Sequence, residues 1–265
     1  MKYLLDDWDE VAQQLAGAEH LLLLFDYDGT LTPIVRKPHQ AHLNGEARKW
    51  LKRLARLRRV TVGVISGRSI ADVSNLVSLR NIYYAGNHGL EIVAGRRKYV
   101  HPVALQVRPT LRRLAVRLKR SLKRYPGATL DDKGLTVTVH YRRVKSGRSK
   151  LVKARIMDIV GPFLASSTLR VTRGKKVLEV RPNIGWNKGH AIGWLVKRFG
   201  KKRLFPVYVG DDTTDEDAFR HLRTTGLTVR VGRKVSSSAR YYVNSTAQVQ
   251  GLLKSIYEIC STSKR

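Results

Sequence analysis

The chain has 265 residues, enough to bury a full hydrophobic core in one large domain or two smaller ones. Its longest apolar run, residues 21–25, is far shorter than the roughly 20 residues of a membrane-spanning helix, and its single cysteine, Cys260, excludes an internal disulfide. Lys and Arg number 51 against 20 Asp and Glu, a formal charge of +31 that attracts anionic substrates and, without specificity, nucleic acid or acidic membrane surfaces.

The first predicted elements are a short helix and a buried strand. Apolar residues at helical spacing and acids at the start predict a helix over residues 7–17. The five apolar residues 21–25 predict a strand buried on both faces, as in a parallel sheet. Asp26 and Asp28 follow at its carboxyl end, where ligands of open α/β sheets bind. Two carboxylates this close raise each other's pKa unless a cation joins them, and a divalent metal is the simplest such cation.

Two further strands end in polar loops. An amphipathic helix over residues 44–57 precedes a β-rich apolar strand at 60–65, and a short strand follows at 83–85. Strand and helix in this order imply right-handed crossovers and a parallel sheet, so we expect an α/β core. The polar residues after the two strands are Ser66, Gly67 and Arg68, and then Gly86, Asn87, His88 and Gly89.

The middle of the chain reads as an inserted module at residues 103–182, so that residues 1–102 and 183–265 form the core. A helix beginning near Pro109, a hairpin, a helix from Ser149 and two strands give the order αββαββ. The insert carries 21 Lys and Arg against 4 Asp and Glu. Two readings stay open for this excess: a solvated outer face on the two helices, or a surface that binds nucleic acid or membranes.

The core resumes with a helix at residues 188–199 and a buried strand at 204–209 that ends in the acidic stretch 210–217. Strands at 228–231 and 241–243 and a last helix at 246–259 complete the chain.

Polar clusters thus lie at the ends of several strands of one sheet. Ser66 offers a hydroxyl and backbone N–H groups to a phosphate, Lys188 lies at a helix start that favours an anion, and the aspartates from Asp211 supply oxygen ligands for Mg²⁺.

These motifs resemble those of the haloacid dehalogenase (HAD) superfamily of phosphatases. Asp-x-Asp-Gly-Thr at residues 26–30, Ser66, Lys188 and Gly-Asp-Asp at 210–212 occur in the expected order. The resemblance implies a HAD-like Rossmannoid sheet, with the insert as a cap of the larger, C2 type. More narrowly, residues 86–89, 179–189 and 210–217 are similar to the trehalose-6-phosphate phosphatase family, and this likeness covers nearly the whole chain.

The resemblance implies a role for each motif residue. Asp26 would be the nucleophile that forms an aspartyl-phosphate, Asp28 the general acid and base, and Ser66 and Lys188 would stabilise charge on the phosphoryl oxygens. Mg²⁺ would be held by Asp26, Asp28 and Asp211, with Asp212 and Asp215 acting on metal-bound waters or on Lys188. The residues that would bind substrate are Gly67, Arg68, Asn87, His88, Lys133, His140, Arg142, Lys176, Glu179 and Arg181.

The expected function is therefore Mg²⁺-dependent hydrolysis of trehalose 6-phosphate by a cytoplasmic protein that works as a monomer. The cytoplasmic assignment follows from the single cysteine and from the acidic residues near the N-terminus, where a secretory signal would carry basic ones. A related sugar phosphate, such as sucrose 6-phosphate or mannosyl-3-phosphoglycerate, remains an alternative substrate. From another class, the charge could mark a nucleic-acid- or membrane-binding protein on the same scaffold, although the basic runs lack interleaved aromatics and we expect no specific nucleic-acid partner.

Overall fold

The computed structural model describes residues 1–35, 40–145, 147–174, 176–199 and 204–262. It divides into two compact units, Met1–Tyr99 with Trp186–Arg265, and Val100–Gly185. In chain order the strands are β1 (Lys2–Tyr3), β2 (His20–Phe25), β3 (Val60–Ile65), β4 (Tyr83–Gly86), β5 (Glu91–Ala94), β6 (Arg97–Val100), β7 (Thr129–Asp132), β8 (Val137–His140), β9 (Leu169–Gly174), β10 (Val177–Pro182), β11 (Leu204–Gly210), β12 (Leu227–Val231) and β13 (Tyr241–Val243). The helices are α1 (Trp8–Gly17), α2 (Gly45–Leu54), α3 (Ile70–Val77), α4 (Pro102–Leu122), α5 (Ser149–Leu164), α6 (Lys188–Phe199), α7 (Glu216–Leu222) and α8 (Thr246–Thr262).

The first unit is built on a sheet whose strands lie in the order β1-β13-β12-β11-β2-β3-β4-β5-β6. Pairing is parallel from β1 through β4, and β5 pairs antiparallel with β4. The switch in strand order lies at β2, with β11 on one side and β3 on the other. Ligands of open α/β sheets bind at such a point, beyond the carboxyl ends of the strands.

Strand β2 is buried on both faces, which explains its uninterrupted apolar sequence. Its alternate residues Leu21, Leu23 and Phe25 enter one core, and Leu22 and Leu24 enter the other. Helices α1, α2, α3 and α8 contribute to the first core, and α6 and α7 to the second. The amphipathic stripes of the sequence therefore cover both faces of the sheet with helices, as a mainly parallel sheet requires.

The second unit is a four-stranded antiparallel sheet, ordered β7-β8-β10-β9, with helices α4 and α5. Its separate core combines the apolar stripes of the two helices with inward residues of the strands. In α4 the stripe includes Leu111, Leu114 and Leu118, while β8 contributes Val137 and Val139. This unit can thus bury its own apolar surface within residues 100–185.

The α/β class with a parallel-sheet core is confirmed, and the predicted order of elements in the insert is the observed one. Helix α4 begins at Pro102 and not near Pro109, because Pro102 occupies the first turn, where its missing N–H has no intrahelical partner. Pro109 then lies inside the helix. The sequence patterns also missed β1, α3 and the β5–β6 pair, whose two-to-eight-residue segments carry weak periodicity.

Candidate active site

Strand register brings the predicted catalytic residues to one edge of the sheet. Phe25 of β2 is the neighbour of Val209 in β11 and of Val64 in β3, so the three strands end at nearly the same level. The N–H of Asp26 donates to the carbonyl of Val209 at 2.9 Å, which fixes the first residue after β2 against β11. Residues that follow these strands therefore meet across the sheet edge.

A buried lysine joins two aspartates at this edge. Lys188, the first residue of α6, is 2% exposed, and its Nζ donates to Oδ1 of Asp26 and to Oδ1 of Asp215, both at 2.6 Å. Burial lowers the pKa of Lys188, but the two carboxylates outweigh burial, so the pKa lies above its ordinary value. Lys188 thus stays charged, and its charge compensates two buried carboxylates.

The Asp215 carboxylate is fully buried and accepts four hydrogen bonds. Besides Lys188, the hydroxyl of Tyr208 donates to Oδ1 at 2.6 Å, and the N–H groups of Asp211 and Asp212 each donate to Oδ2 at 2.9 Å. Although burial opposes it, these donors hold the pKa of Asp215 below its ordinary value. Asp215 therefore organises Lys188 and the turn that carries Asp211.

Asp26, Asp211 and Asp215 form a cluster that could hold a cation, because one carboxylate oxygen of each lies within 4.8 Å of the others. Lys188 donates to one oxygen of Asp26, and Thr30 Oγ1 donates to Oδ1 of Asp211 at 3.2 Å. Among the described residues, no group donates a hydrogen bond to Oδ2 of Asp26 or to Oδ2 of Asp211. Hard oxygen donors of this kind suit Mg²⁺, so the donor set fits the predicted metal.

Electrostatics within this cluster raise the pKa of Asp26 and of Asp211, whereas the pKa of Asp215 is lowered. Burial raises the pKa of Asp26 well above its ordinary value, with Asp215 and Asp211 adding to the effect against Lys188. Burial and then Asp215 raise the pKa of Asp211 to about 6. A divalent ion bound by these two carboxylates would lower both pKa values.

Gly29 has to be glycine at this site. Its φ of +88° is a left-handed conformation, and a Cβ would overlap the carboxylate of Asp211. The Gly of the Asp-x-Asp-Gly-Thr motif thus allows the loop after β2 to approach the loop after β11.

Asp28 and Arg68 form a bidentate ion pair next to the cluster. The Nε and Nη2 atoms of Arg68 donate to the two oxygens of Asp28 at 2.6 and 2.7 Å, and Nη1 donates to Asp72 at 2.7 Å. The Asp28 side chain is 40% exposed. Ser66 is buried, and its Oγ accepts from the N–H of Arg68 at 3.1 Å.

The other predicted residues of this unit lie in three loops. Asn87 and His88 both have positive φ, and their N–H groups donate to the carbonyls of Arg68 and Ser66, respectively. A Cβ at Gly67 would overlap the His88 ring, so the ring packs directly against the Gly67 backbone. Asp212 is exposed and caps the turn at Thr213–Asp215, its Oδ1 accepting from the N–H of Thr213.

In the second unit, Lys133 and Glu179 form a polar cluster on the sheet. Lys133 Nζ donates to Glu179 Oε1 at 3.4 Å, and Thr138 Oγ1 donates to the same oxygen at 3.2 Å. Burial lowers the pKa of His140 at the end of β8. The remaining predicted residues are exposed Arg142 and Lys176 and buried Arg181.

Helix α4 carries six Lys and Arg residues and contains no Asp or Glu. A groove of about 980 Å³ runs beside this helix and is lined by Leu105, Arg108, Pro109, Arg112, Arg113, Val116, Arg117, Asp132 and Gly134.

Sequence reasoning missed the residues that support the acidic cluster. Tyr208 and Arg230 lie in apolar strands and belong to no motif. Glu91, two residues after the polar stretch 86–89, was given no role by the sequence patterns. Glu91 Oε1 accepts from Asn87 Nδ2 and from the N–H of Ile70. The one signal that could have identified Tyr208 and Arg230 was the presence of a hydroxyl or a charge in a strand predicted to be buried.

Residues 24–250 match the family model described as trehalose-phosphatase. The chain belongs to the trehalose-phosphatase family. It is 35% identical to the probable trehalose-phosphate phosphatase 2 of Oryza sativa subsp. japonica, over 91% of this chain and 69% of that protein. It is 32% identical to trehalose-phosphate phosphatase B of Arabidopsis thaliana, over 96% and 70%.

Among solved structures, the chain is similar to the crystal structure of a trehalose-6-phosphate phosphatase related protein. The TM-score is 0.80 at 24% identity, covering 92% of this chain and all of the other. At 24% identity this likeness shows only that the two proteins share a fold. Within the described ranges, the helices include none with the length and apolar character needed to cross a bilayer.

Proposed function

We propose that this protein is a Mg²⁺-dependent phosphatase that hydrolyses trehalose 6-phosphate to trehalose and phosphate. The observation that carries the proposal is the buried Asp26 carboxylate, held by Lys188 beside Asp211 in a chain of the trehalose-phosphatase family. The relatives named for this activity match nearly the whole chain, which supports the same substrate here.

In the first step, a carboxylate oxygen of Asp26 attacks phosphorus. The P–O bond to the sugar breaks as the O–P bond forms, which leaves an aspartyl-phosphate. Lys188 donates to Oδ1 of Asp26 and thereby orients the carboxylate for this attack. In the second step water attacks phosphorus, phosphate leaves, and the Asp26 carboxylate is regenerated.

Asp28 would move the protons in both steps. It donates a proton to the departing sugar oxygen and then accepts one from the attacking water. Arg68 donates to both oxygens of Asp28, so the first transfer requires that at least one of these hydrogen bonds opens. An Arg68 released in this way would be available to bind the phosphate, as the sequence predicts.

Ser66 and Lys188 would stabilise charge on the phosphoryl oxygens, through a hydroxyl donor and an ammonium. Mg²⁺ would be held by Asp26 and Asp211 with the backbone carbonyl of Asp28, where it would act as a Lewis acid that lets a carboxylate approach a phosphate dianion. Asp215 and Asp212 would support this site from the turn that carries Asp211.

We further propose that the second unit recognises the disaccharide. Sugar hydroxyls need paired donors and acceptors, and Lys133, Thr138 and Glu179 supply both within hydrogen-bonding distance of one another. His140, Arg142, Lys176 and Arg181 are further candidates in this unit, and Gly67, Asn87 and His88 are candidates in the first unit.

The proposal is tested by a phosphate-release screen over trehalose 6-phosphate, sucrose 6-phosphate and mannosyl-3-phosphoglycerate, each with Mg²⁺ and with chelator. Fastest turnover of trehalose 6-phosphate, lost with chelator, is the expected result. Preference for another ester would transfer the proposal to that substrate, and no release from any ester would refute a phosphatase. Size-exclusion chromatography and imaging of a tagged chain test our accompanying proposal of a cytoplasmic monomer.

A further inference from the structure

A buried arginine lies next to the acidic turn without belonging to any motif. Arg230 is in β12, an otherwise apolar and Thr-containing strand, and is 8% exposed. The parallel register makes it the neighbour of Gly210, the last residue of β11 before Asp211. A buried guanidinium is costly unless it is paired, so its partners indicate what it does.

The Arg230 guanidinium holds the backbone of the acidic turn. Its Nη2 donates to the carbonyl of Asp211, and its Nη1 donates to the carbonyl of Asp212 at 3.3 Å and to Glu216 Oε1 at 3.1 Å. Glu216 is itself fixed, because its Oε2 accepts from the N–H of Ser238 at 2.7 Å. The planar fork of arginine can satisfy several acceptors at once, which a lysine ammonium on a flexible stem cannot reproduce.

Asp215 bonds the backbone of the same two residues, Asp211 and Asp212. Its Oδ2 accepts from the N–H groups of Asp211 and Asp212, while Arg230 takes their carbonyl groups. The backbone N–H and C=O groups of Asp211 and of Asp212 are therefore all hydrogen-bonded to buried charged side chains. This arrangement leaves the Asp211 backbone little freedom and so restricts where its carboxylate lies.

The positive charge of Arg230 also counters the acidity of the turn. Residues 211–217 contain five carboxylates, at Asp211, Asp212, Asp215, Glu216 and Asp217. Arg230 adds a buried positive charge next to this turn, and screening by water is weak at a buried position. It can do so without occupying the Asp211 carboxylate, because its donors go to backbone carbonyls and Glu216.

We propose that Arg230 is a positioning residue for the metal site: it fixes the turn so that the Asp211 carboxylate is preorganised to bind Mg²⁺. The inference rests on the proposed function, which places Mg²⁺ at Asp26 and Asp211. Removing a residue that orients a metal ligand typically weakens metal affinity by about 10- to 100-fold.

The test is Mg²⁺ binding by isothermal titration calorimetry without substrate, comparing wild type with Arg230→Lys. Arg230→Lys keeps the positive charge but lacks the planar guanidinium that bonds both carbonyls and Glu216. We expect the affinity of this variant for Mg²⁺ to fall about 10- to 100-fold. The Mg²⁺ concentration for half-maximal turnover should rise by a similar factor, while kcat at saturating Mg²⁺ stays within a few-fold of wild type. Arg240→Lys is the matched control, because Arg240 forms an exposed ion pair with Glu10 and should bind Mg²⁺ as wild type does.

Unfolding in chelator separates positioning from general stability. A variant that is less stable in chelator but binds Mg²⁺ with wild-type affinity overturns the proposal. Should Arg230→Lys fail to fold, Glu216→Gln loosens the same guanidinium and is expected to weaken Mg²⁺ binding by a smaller factor; unchanged affinity in that variant also overturns it. If wild type binds Mg²⁺ and Arg230→Lys binds it less tightly but neither hydrolyses trehalose 6-phosphate, this inference holds and the proposed function fails.

Discussion

Replacing Tyr208 with Phe removes one hydroxyl from the most tightly bonded carboxylate of the protein's acidic cluster. The Tyr208 hydroxyl donates to Asp215 Oδ1 at 2.6 Å, and both side chains are fully buried. The ring remains, so the change creates almost no cavity. A hydrogen bond to a charged group contributes about 1.5–3 kcal/mol, and we expect Tyr208→Phe to lower the free energy of unfolding by about that amount at pH 7.

Tyr84→Phe is a matched control in the same sheet. The Tyr84 side chain is also buried, but its hydroxyl bonds only neutral groups: it donates to the carbonyl of Leu79 at 2.7 Å and accepts from the N–H of Leu79 at 3.3 Å. Neutral hydrogen bonds contribute about 0.5–1.5 kcal/mol each, so this variant should lose a comparable amount of stability at pH 7. Its loss should not depend on pH in the acidic range, because neither partner titrates there.

The pH dependence provides the sharper test. The pKa of Asp215 in the folded protein lies below its ordinary value of 3.8, partly because of Tyr208. A lowered pKa contributes stability that is present above the unfolded-state pKa and is lost as the pH falls through the folded-state pKa. The difference between wild type and Tyr208→Phe should therefore be constant from pH 7 to about pH 5 and shrink below about pH 4.

Urea unfolding in chelator, from pH 7 down to the lowest pH at which wild type stays folded, measures this difference. No loss of stability in Tyr208→Phe at pH 7 would refute the assignment of Asp215 as an ionised, hydrogen-bonded carboxylate. A Tyr208→Phe loss that does not change with pH would refute it as well.

Three further predictions concern activity and metal binding. Asp26→Asn should abolish phosphate release while circular dichroism shows a folded protein, and appreciable residual turnover would contradict its role as nucleophile. Glu179→Ala should reduce kcat/KM for trehalose 6-phosphate far more than for a small generic phosphate ester; equal losses would exclude disaccharide recognition by this residue. Because the pKa of Asp211 is raised to about 6 and a metal ligand must be deprotonated, calorimetry should show Mg²⁺ affinity falling as the pH drops from 7 to 5, and a pH-independent affinity would remove Asp211 from the ligand set.

The sequence by itself predicted the elements whose identity depends on local pattern. The apolar run before Asp26 predicts a strand buried on both faces, and the structure places it centrally, with its alternate residues in two cores. The apolar stripes of α2, α4, α6 and α8 likewise predict helices with one buried face. Motif spacing also predicted which acids follow which strands, because a residue just after a strand lies at that strand's end in any register.

Only the tertiary structure decided which side chains support these acids. Arg230 meets the acidic turn because β11 and β12 lie next to each other in a parallel register, in which Arg230 is the neighbour of Gly210. Tyr208, in β11 itself, meets the turn because Asp215, seven residues later, lies within hydrogen-bonding distance of its hydroxyl. Strand order and register are set by packing over the whole sheet, and a shift of one residue would turn Arg230 to the opposite face. The residues that hold Asp211 and Asp215 in place could therefore be identified only once the strands were paired.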